Sequence, residues 1–108
     1  MKTSLTLDTA CRNDGKFLIA VGEIDLSNID TFKQALTTIV TEAAASGEMV
    51  IVDLTDVEYL DSAAISALFG HADHINKLIA HPLLMDILTV SGLTELVATE
   101  AAPVTAER

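Results

Sequence analysis

The segment from Met49 to Leu54 constrains the fold of this chain more than any other part of the sequence. Five of its six residues are apolar, and they do not alternate with polar residues as those of a half-exposed strand would. A strand of this kind is expected to be covered on both faces, which is typical of the parallel sheets in α/β proteins. Polar residues at positions 55, 56 and 58 then predict a connection after the strand. The segment therefore predicts an α/β fold.

Two further strands are predicted before this segment. Apolar and polar residues alternate from Thr3 to Thr9, which indicates a half-exposed edge strand. The apolar run from Phe17 to Val21 is expected to pair with it, because Asn13-Asp14-Gly15 is a strong turn sequence. The chain is therefore expected to begin with a β-hairpin.

A helix is predicted between the hairpin and the central strand. Apolar residues recur at helical spacing from Ile29 onwards, and Gly47 is expected to end the helix. Ser27 and Asp30 resemble a capping box at its start. A strand, a helix and a strand of these lengths imply a right-handed parallel crossover. We therefore predict a mixed sheet of four to five strands with helices packed on it.

A second helix is predicted to begin after Asp61, which is a favourable N-cap residue. Ser62 then occupies the first turn, where unpaired backbone N–H groups and the helix dipole favour an anion. A phosphate on Ser62 would meet a partly prepared site, so this combination suggests a phosphorylation switch. Apolar residues at helical spacing are expected to face the sheet: Ile65, Leu68, Phe69, Ala72 and Ile75.

The opposite side of this second helix carries mostly small residues, namely Ala63, Ala67, Gly70 and His74. We expect this side to be exposed and nearly flat, so that the backbone of another protein can approach it closely. The high helix propensity of alanine explains the same composition equally well.

The last part of the chain is expected to contain a short helix, a strand and a tail. Pro82 suits the first turn of the helix, and Ser91-Gly92 is expected to end it. Residues 96–98 are predicted to add a last strand, and residues 99–108 to form a flexible tail. Residues 1–98 would then form one domain.

The composition narrows the classes of partner. The chain has 6 basic and 16 acidic residues and a net charge of −10, which opposes direct binding to nucleic acid or to an anionic membrane surface. A protein partner with a basic rim would be attracted instead. No apolar run approaches the roughly 20 residues of a membrane span, and Met1-Lys2-Thr3-Ser4 does not begin a signal peptide, so a cytoplasmic location is expected.

Catalytic, metal and cofactor sites are not indicated. His71 and His74 lie three residues apart, but Asp73 between them points away from both, so we expect no metal site. The glycines do not form a phosphate-binding loop, and Ser62 lies in no Gly-x-Ser-x-Gly elbow, so we predict neither a cofactor nor an enzyme. Cys11 is the only cysteine and is expected to be an ordinary thiol; a redox role through an intermolecular disulfide is the alternative.

Four motifs occur in the order and approximate spacing of a known family. They are Phe17 to Val21 followed by Gly22-Glu23-Ile24-Asp25, then Val50-Ile51-Val52-Asp53-Leu54, then Tyr59-Leu60-Asp61-Ser62, then Ser91-Gly92-Leu93. With these motifs the chain resembles the STAS domain family, and more closely its bacterial anti-sigma factor antagonists. The resemblance extends over nearly the whole chain, to about Ala98.

The resemblance implies a function for Ser62. In that family, the serine after the aspartate at the start of the second helix is phosphorylated by an anti-sigma factor that acts as a serine kinase. The unphosphorylated protein binds the anti-sigma factor and frees a sigma factor, and phosphorylation ends the binding. The residues expected to contact the partner are Asp25, Asp61, Ser62, Ala63, Ala67 and Gly70.

Two departures from the family pattern stand out. Ala63-Ala64 replaces the usual second serine and glycine, which leaves Ser62 as the one hydroxyl at the start of the motif, and Ser66 replaces a frequent glycine. In addition, Lys77 runs almost directly into Pro82, so the strand there is either a stub or a deletion. We expect a monomer or weak dimer. The alternative functions are a STAS adaptor of a lipid or anion transporter and an antagonist under redox control through Cys11.

Overall fold

The computed structural model of the protein describes residues 4–12 and 15–103, and these form a sheet with helices packed against it. The strands are β1 (Leu5–Arg12), β2 (Gly15–Ile24), β3 (Val50–Leu60), β4 (Lys77–Ala80) and β5 (Thr99–Ala101). The helices are α1 (Ile29–Ser46), α2 (Ser62–Gly70), α3 (Met85–Val90) and α4 (Leu93–Leu96). Two short 3-10 turns lie at Ala72–His74 and Pro82–Leu84.

The sheet is mixed, and its strand order follows the chain, β1-β2-β3-β4-β5. β1 and β2 pair antiparallel as a hairpin, whereas β2, β3, β4 and β5 run parallel. The predicted hairpin start and parallel crossover are therefore confirmed. Of the predicted turn, Asn13 and Asp14 lie outside the described residues, as does Thr3 of the predicted first strand.

The hydrophobic core lies between the sheet and the helices. Alternate residues of β2 and β3 face α1 and α2, as the pairing of Leu18 with Val52 shows. The neighbouring pair, Phe17 and Ile51, is also buried but lies outside this core cluster, on the other side of the sheet. Large side chains in the core are almost inaccessible to solvent: Leu18, Phe32, Leu36, Ile39, Val52, Leu54, Leu68, Leu78, Leu88 and Leu93.

β3 is longer than predicted. The polar segment at residues 55–58 does not form a connection but continues the strand to Leu60, paired with β2. Its polarity has a simple cause: β4 pairs with β3 only as far as Leu54. Beyond that point β3 has a neighbour on one side only, so half-exposed polar residues replace the apolar run.

The predicted extent of α1, from Ile29 to just before Gly47, is confirmed, but the predicted capping box at its start is wrong. Asn28 is the N-cap residue and makes no side-chain capping bond, so Ser27 and Asp30 do not form a capping box. The Ser27 backbone N–H and hydroxyl instead donate to Asp25 Oδ1 at 2.9 and 2.6 Å. The Ser27 groups that a capping box would have used are therefore hydrogen-bonded within the turn around Asp25. The helix ends at Ser46, before Gly47.

α2 is shorter than the apolar pattern suggests. It ends at Gly70 and tightens into the 3-10 turn Ala72–His74, which changes the periodicity from 3.6 to about 3 residues per turn. Ala72 and Ile75 still reach the core after this change, but Phe69 is 37% exposed rather than facing the sheet. No helix within residues 4–12 and 15–103 has the length and apolar character needed to cross a bilayer.

The C-terminal elements correct two predictions and decide a third. β4 is a four-residue strand, so the segment before Pro82 holds the expected stub. Residues 96–98 do not form the last strand, because left-handed Gly92 starts the extra helix α4, which buries Leu93. The last strand is β5, and its pairing with β4 means that the predicted tail does not begin at residue 99. Residues 104–108 of that tail lie outside the described part of the chain.

Candidate functional site

The candidate site lies where β2 and β3 end side by side. The two strands are parallel, and their last residues, Ile24 and Leu60, are partners in the sheet. Each is followed by an aspartate, Asp25 before α1 and Asp61 before α2. The topology therefore brings together two carboxylates that are far apart in the sequence.

β2 contains a bulge at Gly22, close to this end of the strand. The register between β2 and β3 shifts between Gly22 and Glu23, and Gly22 has a φ of 116°. A Cβ atom at this position would collide with the backbone carbonyl oxygen of Ser4. Only glycine combines this backbone conformation with so close an approach of the neighbouring chain.

Asp61 joins the two loops of the site. Its Oδ1 accepts a hydrogen bond from Ala64 N at 3.1 Å, which confirms the predicted N-cap of α2. Its Oδ2 accepts a second bond from Leu26 N at 2.9 Å, across 35 residues of sequence. The Asp61 backbone N–H also donates to Ile24 O at 3.2 Å. One carboxylate thus fixes the start of α2 and the loop between β2 and α1.

Asp25 organises the same loop from within. Its carboxylate accepts from Ser27, and its backbone N–H donates to Asn28 Oδ1 at 3.0 Å. Asn28 Nδ2 in turn donates to Glu23 O at 2.9 Å. Leu26 lies between these bonds, and its side chain is 75% exposed. The loop therefore presents a large apolar side chain to solvent from a hydrogen-bonded turn. Leu26 was not predicted from the sequence; one apolar residue within an otherwise polar turn was the available signal.

Ser62 is the first residue of α2 and is exposed. Its hydroxyl follows directly after Asp61, at the positive end of a nine-residue helix. The Asp61 carboxylate accepts the hydrogen bond from Ala64 N. Because Asp61 directly precedes Ser62, a phosphate on Ser62 would lie beside this carboxylate. Ser62 is therefore an exposed residue directly beside a carboxylate.

The small residues of α2 line a groove against α1. The groove has a volume of about 420 Å³. Its lining residues are Leu26, Ile29, Lys33, Ala63, Ser66, Ala67, Gly70 and His71. Ala67 is only 6% exposed, so the prediction of a flat, exposed face is wrong at this residue. The reason is that α1 runs beside α2 and the small side chains face it, which leaves a channel between the helices.

His71 closes the far end of this groove. Its Nδ1 lies 2.9 Å from Ala67 O, which only accepts, so Nδ1 carries a hydrogen. Its Nε2 lies 3.2 Å from Thr37 Oγ1 on α1. The imidazole therefore links the two helices. Within the described part of the chain, no three His, Cys, Asp or Glu side chains are grouped in a way that could hold a metal ion.

Cys11 lies at the other end of the molecule, near the end of β1. It is exposed, and Lys16 Nζ approaches its sulfur at 3.6 Å. Lys16 also forms an ion pair with Glu48 at 3.4 Å. The nearby Cys11 sulfur, and then the Glu48 carboxylate, raise the pKa of the Lys16 ammonium above its ordinary value. The structure therefore does not bring Cys11 to the Ser62 site.

Sequence comparison agrees with this architecture. The family model of the STAS domain matches residues 7–99, from the first strand to the last. The chain belongs to the STAS domain family. Among curated proteins, none matches the chain in sequence.

Several solved structures share the STAS fold of this chain. An anti-sigma factor antagonist from Mycobacterium paratuberculosis is similar, with a TM-score of 0.77 and 20% identity; the match covers 94% of this chain and 87% of that one. The anti-sigma factor antagonist SpoIIAA in its unphosphorylated form has a TM-score of 0.68 and 15% identity, with 93% and 89% coverage. The Bacillus cell fate determinant SpoIIAA in the phosphorylated form has a TM-score of 0.61 and 15% identity, with 93% and 92% coverage.

Proposed function

We propose that this STAS protein is an anti-sigma factor antagonist whose binding is controlled by phosphorylation of Ser62. The observation that carries the proposal is the exposed Ser62 hydroxyl at a helix start that Asp61 holds in place. Similarity in fold to anti-sigma factor antagonists supports the general role, and SpoIIAA is a neighbour solved in both unphosphorylated and phosphorylated forms. The protein acts by binding, as a cytoplasmic regulator rather than an enzyme.

The proposed partner is an anti-sigma factor with serine kinase activity. It transfers the γ-phosphoryl group of ATP to Ser62 Oγ; ADP leaves, and the hydroxyl proton passes to a base of the kinase. The unphosphorylated protein holds this partner and releases a sigma factor from it. The contact surface consists of residues proposed from the sequence, namely Asp25, Asp61, Ser62, Ala63 and Gly70, while Ala67, only 6% exposed, lies in the groove between α1 and α2.

Electrostatics explains how phosphorylation would end the binding. The phosphate adds about −1.5 to −2 charges at pH 7, directly beside Asp61 and close to Asp25. A partner surface shaped around a neutral hydroxyl would then meet a hydrated anion. The helix start tolerates this anion in the free protein, because α2 presents its N-terminal dipole there. The affinity changes while the fold is retained.

The experiment is to incubate the protein with ATP and the serine-kinase anti-sigma factors of its source organism, and to map the phosphate by mass spectrometry. We expect modification at Ser62. Ser66 is the matched control hydroxyl, because it is exposed on the same helix one turn later. Phosphate on Ser66, or phosphorylation of a Ser62→Ala variant to the same extent, would overturn the proposal.

A further inference from the structure

β1 forms the long open edge of the sheet. It pairs with β2 on one side, and no strand among the described residues lies on its other side. Its register with β2 is regular over all eight residues, without a bulge, and the strand contains no proline. Bulges and prolines are devices that keep an edge strand from pairing with another chain. β1 is therefore a ready template for a further strand.

The hydrogen bonds of the hairpin show which residues face the open edge. The Glu23 backbone N–H donates to Ser4 O at 2.9 Å, so Ser4 and Glu23 form a hydrogen-bonded pair just before β1. Such pairs alternate with non-hydrogen-bonded pairs along an antiparallel ladder. The even-numbered residues of β1 thus bond to β2. The odd-numbered residues direct their N–H and C=O groups away from β2: Leu5, Leu7, Thr9 and Cys11.

The space on the helix side of this edge is open as well. A groove of about 410 Å³ lies between β1 and α1, and Thr9 lines it together with Ala35 and Thr38 of α1. α1 therefore does not close over the edge. The side chains of an added strand have room beside Thr9 without a movement of the helix.

The charges of β1 are complementary to those of a second copy of the strand. Asp8 and Arg12 are its only charged residues, and they lie symmetrically about Ala10. When two β1 strands pair antiparallel about Ala10, Asp8 of each copy lies opposite Arg12 of the other. A symmetric pairing about Asp8 would oppose two aspartates, and one about Thr9 would give neither charge an opposite charge. Opposite charges directly across an antiparallel pair stabilise it, whereas like charges destabilise it.

The same register also satisfies the open backbone groups. It places Thr9 of one copy opposite Cys11 of the other, and both residues direct their N–H and C=O groups to the edge. These residues can therefore exchange backbone hydrogen bonds on either side of the two-fold axis. The two Ala10 residues then form a non-hydrogen-bonded pair on the axis, with Cα atoms about 4.5 Å apart.

We infer that β1 is a docking surface for a second copy of this chain, which adds its own β1 antiparallel about Ala10. The interface is isologous and small, so the dimer is weak and forms at high protein concentration. The net charge of −10 opposes association, so the two contacts between Asp8 and Arg12 are needed to offset it locally. Ser62 follows β3, two strands in from this edge, and the inference does not depend on the proposed function.

Disulfide cross-linking tests the register. Ala10→Cys in a Cys11→Ser background places two thiols on the two-fold axis, at a Cα separation that a disulfide can bridge, so oxidation with diamide should give a covalent dimer. Thr6→Cys in the same background is the matched control, because Thr6 lies on the same face of β1 but about 27 Å from its copy. In the wild type, the Cα atoms of the two Cys11 residues would lie about 8 Å apart, too far for a disulfide. Equal cross-linking of the two variants would overturn the inference.

Charge exchange tests the cause of the pairing. Sedimentation equilibrium would measure the dimerisation of Asp8→Lys, of Arg12→Asp and of the variant with both changes. Each single change sets like charges opposite each other at two places, so we expect the dissociation constant to rise about fivefold or more. The double exchange restores both contacts at an unchanged net charge and should dimerise like the wild type. Asp86→Lys on α3 is the control, because it changes the net charge as Asp8→Lys does but lies outside β1.

The control separates local pairing from net charge. Both lysine variants are less acidic than the wild type, so net charge alone would strengthen the dimer in each. The inference predicts a weaker dimer for Asp8→Lys only. A wild type that stays monomeric at about 1 mM, or a double exchange that dimerises as poorly as the single variants, would overturn it. Circular dichroism verifies that each variant is folded.

Discussion

The two ends of the sheet carry Ser62 and Cys11, two exposed residues in different electrostatic surroundings. Ser62 lies beside Asp61 and near Asp25, at a junction that hydrogen bonds hold together across 35 residues. Cys11 lies near the hairpin turn beside Lys16, its register partner on β2, and near Arg12, whose guanidinium lies 4.6 Å from the centroid of the Phe17 ring. Added negative charge would thus meet two carboxylates and the N-terminal dipole of α2 at the first end, and two cationic side chains together with Glu48 at the second.

This difference shows why a neutral hydroxyl suits a switch at the Ser62 end. A phosphate there puts a bulky, hydrated anion beside two carboxylates, where a partner surface had met a neutral hydroxyl, whereas the same charge beside Lys16 would be partly compensated. The Ser62 end is also built from long-range contacts, which keep its geometry fixed. Variants at either end test this difference.

The largest effect is expected from Gly22→Ala, because Gly22 lies in the bulge of β2 next to the Ser62 end. The new Cβ would meet the Ser4 carbonyl, and the backbone would have to leave its positive φ, so we expect the free energy of unfolding to fall by about 2–3 kcal/mol. Urea denaturation measures this. Gly70→Ala is the control, because its Cβ meets open space and should stabilise the protein by about 0.5–1 kcal/mol. A Gly22→Ala variant as stable as the wild type would contradict the account.

Asp61→Ala should have the next largest effect. It removes the α2 cap and the bond to Leu26 N, so we expect a loss of about 1–2 kcal/mol in the free energy of unfolding. Asp30→Ala is the matched control, since Asp30 lies in the first turn of α1 but does not cap it, and should cost about 0.3–1 kcal/mol. Chemical denaturation of both variants tests whether the junction depends on Asp61, and equal losses would argue against it.

A smaller effect concerns pH at the opposite end. The hydrogen bond from Ser46 Oγ, at 2.7 Å, and then the charge of Lys16 lower the pKa of Glu48 below its ordinary value of 4.5. A carboxyl with a lowered pKa in the folded protein contributes stability above pH 4.5 and loses it as the pH falls through the folded value. NMR titration of Glu48 should show that Ser46→Ala moves its pKa upwards. An unchanged pKa would refute the assigned cause.

The smallest effect is expected from Cys11→Ser. Cys11 does not contact the Ser62 end, so we expect this variant to bind the anti-sigma factor like the wild type under oxidising and reducing conditions. Calorimetric titration under both conditions measures the affinity. A redox-dependent affinity that is lost in Cys11→Ser would instead support the alternative of redox control and weaken the contrast between the two ends.

Local patterns in the sequence predicted the hairpin, the crossover and the N-cap at Asp61, and comparison with the family's spacing left a stub or a deletion before Pro82. They failed where pairing with distant residues decides the outcome. β3 continues through polar residues because β2 still pairs with it, and Ala67 is buried because α1 lies beside it. The bond between Asp61 and Leu26 joins segments whose contact no local pattern shows. The N-cap beside the candidate site was therefore predictable from the sequence, but the long-range bonds and the groove around it were not.

The central claim, that the charge on Ser62 decides binding, is tested most directly by one measurement. Isothermal titration calorimetry would compare the affinity of the serine-kinase anti-sigma factor for the unmodified protein and for the protein phosphorylated at Ser62, with nucleotide conditions held constant. The account predicts a loss of affinity of about tenfold or more, as expected when an interface must accept an unpaired anion. Equal affinities for the two forms would contradict it.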